Sequence, residues 1–108
     1  MSLNGKTIAV TGAFGSLGTA VVKALLEQGA TVAAIDLADA PREPKALGSA
    51  HLHGGVDLAD AKATQAAFDA IANEHGGLHG VVNIAGGFAW EKVQDGSPGT
   101  WDRMYQMN

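Results

Sequence analysis

Cysteine is absent from the 108-residue chain, which excludes disulfides and thiolate metal sites and fits a reducing compartment. No cluster of lysine and arginine occurs, and the formal net charge is −4. A nucleic-acid or anionic-membrane partner, which would want clustered positive charge, is therefore not expected. The stretch from Met1 to Lys6 has no charged segment followed by a long apolar run. No signal peptide or membrane span is expected, and the default compartment is the cytoplasm.

Glycine, by contrast, is abundant: 15 residues, about twice the usual share of roughly 7%. Several of these glycines follow apolar runs, where they imply tight turns and close backbone approach. A hydrophobic share of 46% with 17% charged residues is ordinary for a globular protein. A chain of this length is one domain at most, with little stability to spare.

Short β-rich runs alternate with helical spacing. Thr7 to Thr11 reads as a buried parallel strand ending in glycines. From Ser16 to Gln28, Leu17, Val21 and Leu25, with Val22 and Leu26, recur at helical spacing, and Gly29 supplies the stop. Thr31 to Ile35 is a second strand. Pro41 and Pro44 oppose a regular helix between Leu37 and Ala50, so an irregular surface crossover is expected there. A third strand is expected from about His51 to Val56. Asp60 then caps a helix whose apolar stripe is Thr64, Ala67, Phe68 and Ile71, and Gly76-Gly77 ends it. Gly80 to Ile84 is the fourth strand. Ser97-Pro98 opens a last helix with Trp101, Met104, Tyr105 and Asn108 on one stripe, where Tyr105 is expected to pack.

This alternation implies a Rossmann-type α/β fold of three layers, with a parallel sheet in the order 3-2-1-4. The whole chain, residues 1–108, is expected to be a single dinucleotide-binding half-domain.

Thr11-Gly12-Ala13-Phe14-Gly15-Ser16-Leu17-Gly18 stands where the first strand becomes the first helix. Gly12 permits the turn, Gly15 lets backbone approach a pyrophosphate, and Gly18 lets helix and strand pack closely. The helix N-terminus offers free N–H groups and partial positive charge to phosphates. Ser16 has a hydroxyl to add, and Leu17 lies in the same loop. Asp36, 24 residues beyond Gly12 and at the end of the second strand, is placed to bond ribose hydroxyls. Its charge repels a 2′-phosphate, and no basic residue follows it directly or lies in the glycine loop, so NAD is favoured over NADP. Arg42, on the crossover, reads as a solvated charge.

The glycine loop, Asp36-Leu37, Asp57-Leu58, Asn83-Ile84-Ala85-Gly86 and Asn108 together resemble the short-chain dehydrogenase/reductase family, over the whole chain. The resemblance implies an NAD-dependent oxidoreductase that passes hydride between nicotinamide and an alcohol or carbonyl substrate. It implies that Asp57 bonds the adenine amino group with Leu58 beside it. Asn83, Ala85 and Gly86 would line the cofactor channel. Asn108, closing Trp101 to Met107, resembles the asparagine of the catalytic tetrad, where it supports a proton-relay water. Apart from the resemblance, the open apolar edge expected at the fourth strand makes a monomer doubtful, so a homo-oligomer is expected.

Two departures accompany the resemblance. The single-domain branch shows T-G-x-x-x-G-x-G, whereas this chain has T-G-x-x-G-x-x-G, with Ser16 where glycine is usual. That spacing is closer to the larger sugar-nucleotide-modifying branch, so an epimerase or dehydratase is one alternative. In the family, a serine and a Tyr-x-x-x-Lys pair follow the asparagine. Tyr105 is the only tyrosine here, and the chain is expected to be a cofactor-binding half that turns over nothing alone. A non-catalytic dinucleotide-binding module is the other alternative.

His51 and His53 alternate on a strand, while Gly76-Gly77 interrupts the spacing of His75 and His79. Without a cysteine or carboxylate pattern, no metal is expected. Trp90 and Trp101 read as substrate-facing or packing residues, and Ser97 as a helix cap.

Overall fold

Thr7–Thr11 forms β1 and Thr31–Ile35 forms β2, both short runs rich in β-branched side chains. In the computed structural model, which describes residues 2–108, they pair in parallel, with Thr7 opposite Thr31 and Thr11 opposite Ile35. Met1, where the signal-peptide reading begins, lies outside the described residues. His51–His53 (β3) pairs with β2, and Gly80–Asn83 (β4) pairs with β1 on its other side. The sheet is parallel throughout, in the order β3-β2-β1-β4, as the alternation of elements predicts. The chain reverses direction across the sheet between β1 and β4, which opens a crevice at the carboxyl ends of the strands.

Successive strand side chains point to opposite faces, and the two faces have separate cores. Val10, Val32 and Ala34 pack with Val22 of α1 (Ser16–Glu27) and with Leu47. Ala9, Ala33 and Ile35 pack with Ile71 of α2 (Ala61–His75), with Phe68 beside them. One helix per face makes the three layers. Each buried valine, leucine or isoleucine side chain stabilises the fold by about 1.5–3 kcal/mol.

Local chemistry explains where the elements stop. α1 ends one residue earlier than its spacing suggests, with Gln28 as its C-cap. The crossover is not wholly irregular: Pro44–Leu47 makes one 3-10 turn, which carries the buried Leu47 under α1. β3 stops at His53 rather than Val56, because Gly55 and Val56 donate instead to the carbonyls of Ala38 and Asp36, beyond the end of β2. β4 stops before Ile84 because the N–H of Ile84 bonds a side chain, the hydroxyl of Thr11 at 3.1 Å. α2 begins at Asp60, whose carboxylate accepts from the N–H groups of Lys62 and Ala63, and ends at the left-handed Gly76.

The last helix, α3 (Pro98–Met107), opens on Ser97, whose hydroxyl accepts from the N–H of Thr100 at 3.2 Å. Its apolar stripe does not pack as expected. Trp101 is 65% exposed and Tyr105 is 87% exposed, while Met104 of the same stripe is half-buried. Thr100 is the buried residue of α3. Among the described residues, no helix is long and apolar enough to cross a membrane.

Candidate functional site

The register of the sheet assembles the site. Thr11 lies opposite Ile35 on one side and Asn83 on the other, so Gly12, Asp36 and Ile84 leave the sheet side by side. Parallel strands put all three at one edge, although they are far apart in sequence.

Two glycines make the turn into α1 possible. Gly12 has φ +66°, and a Cβ there would lie 2.7 Å from the backbone nitrogen of Ala85. Gly18 sits in the first turn of α1, where a Cβ would collide with the carbonyl oxygen of Gly12. Helix and loop are therefore in backbone contact, with no room for a methyl group between them.

The amino end of α1 carries no side-chain cap and no acidic residue. Thr19 is the first residue to close a helical bond, to the Gly15 carbonyl at 2.9 Å. The N–H groups of Ser16, Leu17 and Gly18 precede it and have no helical acceptor. They leave partial positive charge at the mouth of the crevice. Ser16 and Leu17 are exposed there.

Asp36 follows β2 directly and turns back toward the loop. Its Oδ2 accepts from the N–H of Phe14 at 2.9 Å, and its Oδ1 from the N–H of Ala38 at 3.0 Å. Each carboxylate oxygen keeps a further lone pair for a ligand hydroxyl. Arg42 is exposed and forms no ion pair among the described residues. Asp57 accepts from the N–H of Ala59 at 2.9 Å, a local turn that holds Leu58 at the rim, 37% exposed.

Thr11 is a residue for which sequence reasoning assigned no role. It is 1% exposed. Its hydroxyl donates to Asn83 Oδ1 at 3.3 Å and accepts from the N–H groups of Ile84 and Ala85 at 3.1 and 3.2 Å. It thus ties the 83–86 loop to the end of β1. A lone threonine ahead of a glycine loop offers no signal for such a role, because its partners lie more than 70 residues away.

Asn108 reaches the same region from the end of α3. Its amide nitrogen donates to the carbonyls of Gly87 at 3.1 Å and Met104 at 2.9 Å, and its Oδ1 accepts from the N–H of Gly87 at 3.3 Å. The side chain binds the loop backbone as an adjacent strand would.

These residues converge on one cleft of about 850 Å³. Gly12, Gly15, Ser16, Leu17, Gly18, Asp36, Leu37, Asp57, Leu58, Asn83, Ala85, Gly86 and Asn108, all singled out from the sequence, line it. Val56, Ala59, Gln106 and Met107 line it too and were not foreseen. Among the described residues, its ionisable lining groups are the carboxylates of Asp36 and Asp57, with no lysine, arginine or histidine. A separate recess of about 200 Å³ lies between α3 and the preceding loop, with Trp101 and Met104 in its wall. Trp90 belongs to neither and is 75% exposed.

A parallel sheet in this order, with a glycine turn at the reversal point and a carboxylate at the end of the next strand, defines a Rossmann-type nucleotide-binding architecture. The family model described as short chain dehydrogenase matches residues 6–108, and the chain belongs to that family. It is similar to D-threitol dehydrogenase of Mycolicibacterium smegmatis, with 38% identity over 98% of this chain and 43% of that protein. It is also similar to 2-(S)-hydroxypropyl-CoM dehydrogenase 3 of Xanthobacter autotrophicus, with 35% identity over 98% of this chain and 44% of that protein. The chain thus spans less than half the length of these two relatives. Among solved structures, a short chain dehydrogenase from Burkholderia cenocepacia in complex with NADP superposes with a TM-score of 0.85. That match has 29% identity and covers 99% of this chain and 46% of that one.

Proposed function

We propose that residues 1–108 form the cofactor-binding domain of an NAD-dependent oxidoreductase acting on an alcohol or carbonyl substrate. The observation that carries the choice of cofactor is the charge of the cleft. Asp36 and Asp57 line it, and no basic side chain among the described residues does. A 2′-phosphate brought to Asp36 would meet repulsion with no compensating cation, whereas a free ribose hydroxyl would find an acceptor. The NADP bound in the Burkholderia structure belongs to that protein, and likeness of fold alone leaves the choice to these side chains.

In this reading the free N–H groups at the start of α1 bind the pyrophosphate, with Ser16 adding its hydroxyl. Asp36 takes the adenosine ribose, with Leu37 beside it. Asp57 takes the adenine amino group, with Leu58 against the ring. Asn83, Ala85 and Gly86 line the path toward the nicotinamide. The bound cofactor supplies the hydride chemistry, and the protein supplies position and electrostatics. Asn108 is a positioning residue: with its amide engaged by Gly87 and Met104, it holds the loop beside the reacting end and fixes where a proton-relay water sits. The tyrosine and lysine of the family's acid/base machinery have no counterpart in these 108 residues, and the reading assigns no acid/base step to them.

Titration of the full-length protein with NADH and NADPH, followed by nicotinamide fluorescence, tests the reading. NADH is expected to bind more tightly. Equal or tighter binding of NADPH would overturn the role given to Asp36.

A further inference from the structure

His51 opens β3 and His75 closes α2, so both lie at the amino edge of the sheet, at the opposite end of the strands from the cleft. His51 pairs in register with Ala33, whose side chain faces α2, and its own side chain follows to that face. Register and helix length thus bring together residues 24 apart in sequence. His51 Nδ1 lies 3.5 Å from Glu74 Oε1, and His75 Nε2 lies 4.0 Å from Glu74 Oε2. The two imidazoles meet edge to face with centroids 4.6 Å apart. One donor atom from each of the three residues falls within 4.8 Å of the others.

The second observation is an unpartnered nitrogen. The His75 side chain is only 10% exposed, and its Nε2 is buried without a hydrogen-bond partner. A buried polar atom left in this way costs about 1–3 kcal/mol unless something pairs with it. That same Nε2 is the atom 4.0 Å from Glu74 Oε2.

We propose that His51, Glu74 and His75 form a binding site for a divalent transition-metal ion of the zinc type, with water completing a four-coordinate shell. Two imidazoles and a carboxylate are a donor set that borderline cations prefer. Zinc holds such ligands at about 2.1 Å, which places ligand atoms about 3.4 Å apart in a tetrahedron. The observed separations reach that geometry through side-chain rotation, with Glu74 and His51 half exposed and free to adjust. The ion would join the end of α2 to the start of β3. The two elements belong to different layers, so the site is structural, and its distance from the cleft separates it from cofactor binding. The spacing of His75 and His79 does not contribute: His79 Nδ1 instead accepts from the N–H of Thr7 at 3.0 Å.

The test is calorimetric titration of tag-free, chelator-stripped full-length protein with Zn²⁺, together with Co²⁺ titration for the visible bands of tetrahedral coordination. One equivalent is expected to bind and to raise the Tm. Glu74→Gln and His51→Ala, both at half-exposed positions where folding is not at risk, are each expected to weaken binding at least about tenfold. NADH affinity should be the same with and without Zn²⁺. Failure to bind either ion at sub-millimolar concentration would overturn the proposal, as would binding that survives both substitutions. In either case the trio is an ordinary polar cluster with edge-to-face rings.

Discussion

Asp36 Oδ2 and the N–H of Phe14 are joined at 2.9 Å across 22 residues of sequence. The carboxylate that the proposed function gives to the ribose also holds the glycine loop in place, so the loop and the end of β2 are mechanically one. Substitutions at Asp36 should separate these roles. Asp36→Asn retains an oxygen for Phe14 and loses the charge; Asp36→Ala loses both. Bonds to charged groups contribute about 1.5–3 kcal/mol, so Asp36→Ala is expected to weaken NADH binding by roughly ten- to a hundredfold. Asp36→Asn should narrow the preference for NADH over NADPH while leaving the Tm nearly unchanged. Fluorescence titration with both cofactors reads the difference.

Thr11 is the hinge between β1 and the 83–86 loop. Thr11→Val keeps the shape and removes a hydroxyl that serves Asn83, Ile84 and Ala85. Two N–H groups lose their acceptor in a part-buried setting, a cost of about 1–3 kcal/mol. Thermal denaturation should show a Tm several degrees lower for Thr11→Val and close to the parent for Thr11→Ser. An unchanged Tm in the valine variant would mean that water replaces the hydroxyl.

Gly15 and Gly18 are both in the loop, yet a side chain at each should weaken cofactor binding for a different reason. A Cβ at Gly18 strikes the Gly12 carbonyl, and Gly18→Ala is expected to push α1 off the loop and abolish cofactor binding. At Gly15 the nearest atom would be the Gly12 oxygen at 3.6 Å, an ordinary contact, and φ is −80°. Gly15→Ser would supply the missing N-cap, stabilising the helix by a few tenths of a kcal/mol. The new hydroxyl would occupy N–H groups that the proposed function gives to the pyrophosphate, so NADH affinity should fall as the Tm rises slightly. Measuring both quantities on one variant checks this.

Asn108→Asp removes the two donors that meet the carbonyls of Gly87 and Met104 and sets a negative charge against them. The 84–87 loop should loosen. Amide hydrogen exchange at Gly87 is expected to accelerate, with weaker NADH binding and little change at β1 or β2. Unaltered exchange at Gly87 would remove the positioning role given to Asn108.

Much of this protein was legible along the chain. The helical spacing of Val21, Val22 and Leu25, the capping power of Asp60 and Ser97, and the breaking effect of Gly76 all act within a turn or two. β-branched runs of five residues likewise announce strands that are buried on both faces. From these elements the alternation rule and the handedness of crossovers lead to the strand order β3-β2-β1-β4. The α3 stripe was misread for the converse reason. Helical spacing shows that Trp101 and Tyr105 share a side of the helix, but says nothing about how far each is buried.

Sequence alone determined the order of elements, the sheet topology and which residues gather at the carboxyl edge, because local propensity and strand direction carry that information. Tertiary structure alone decided that Asp36 grips Phe14, that Thr11 serves the 83–86 loop, and that His51 meets Glu74 and His75. Each of those contacts spans 22 to 74 residues and depends on strand register and side-chain direction to within an ångström or so. No local pattern encodes distances of that kind; they exist only once the sheet is paired and both faces are packed.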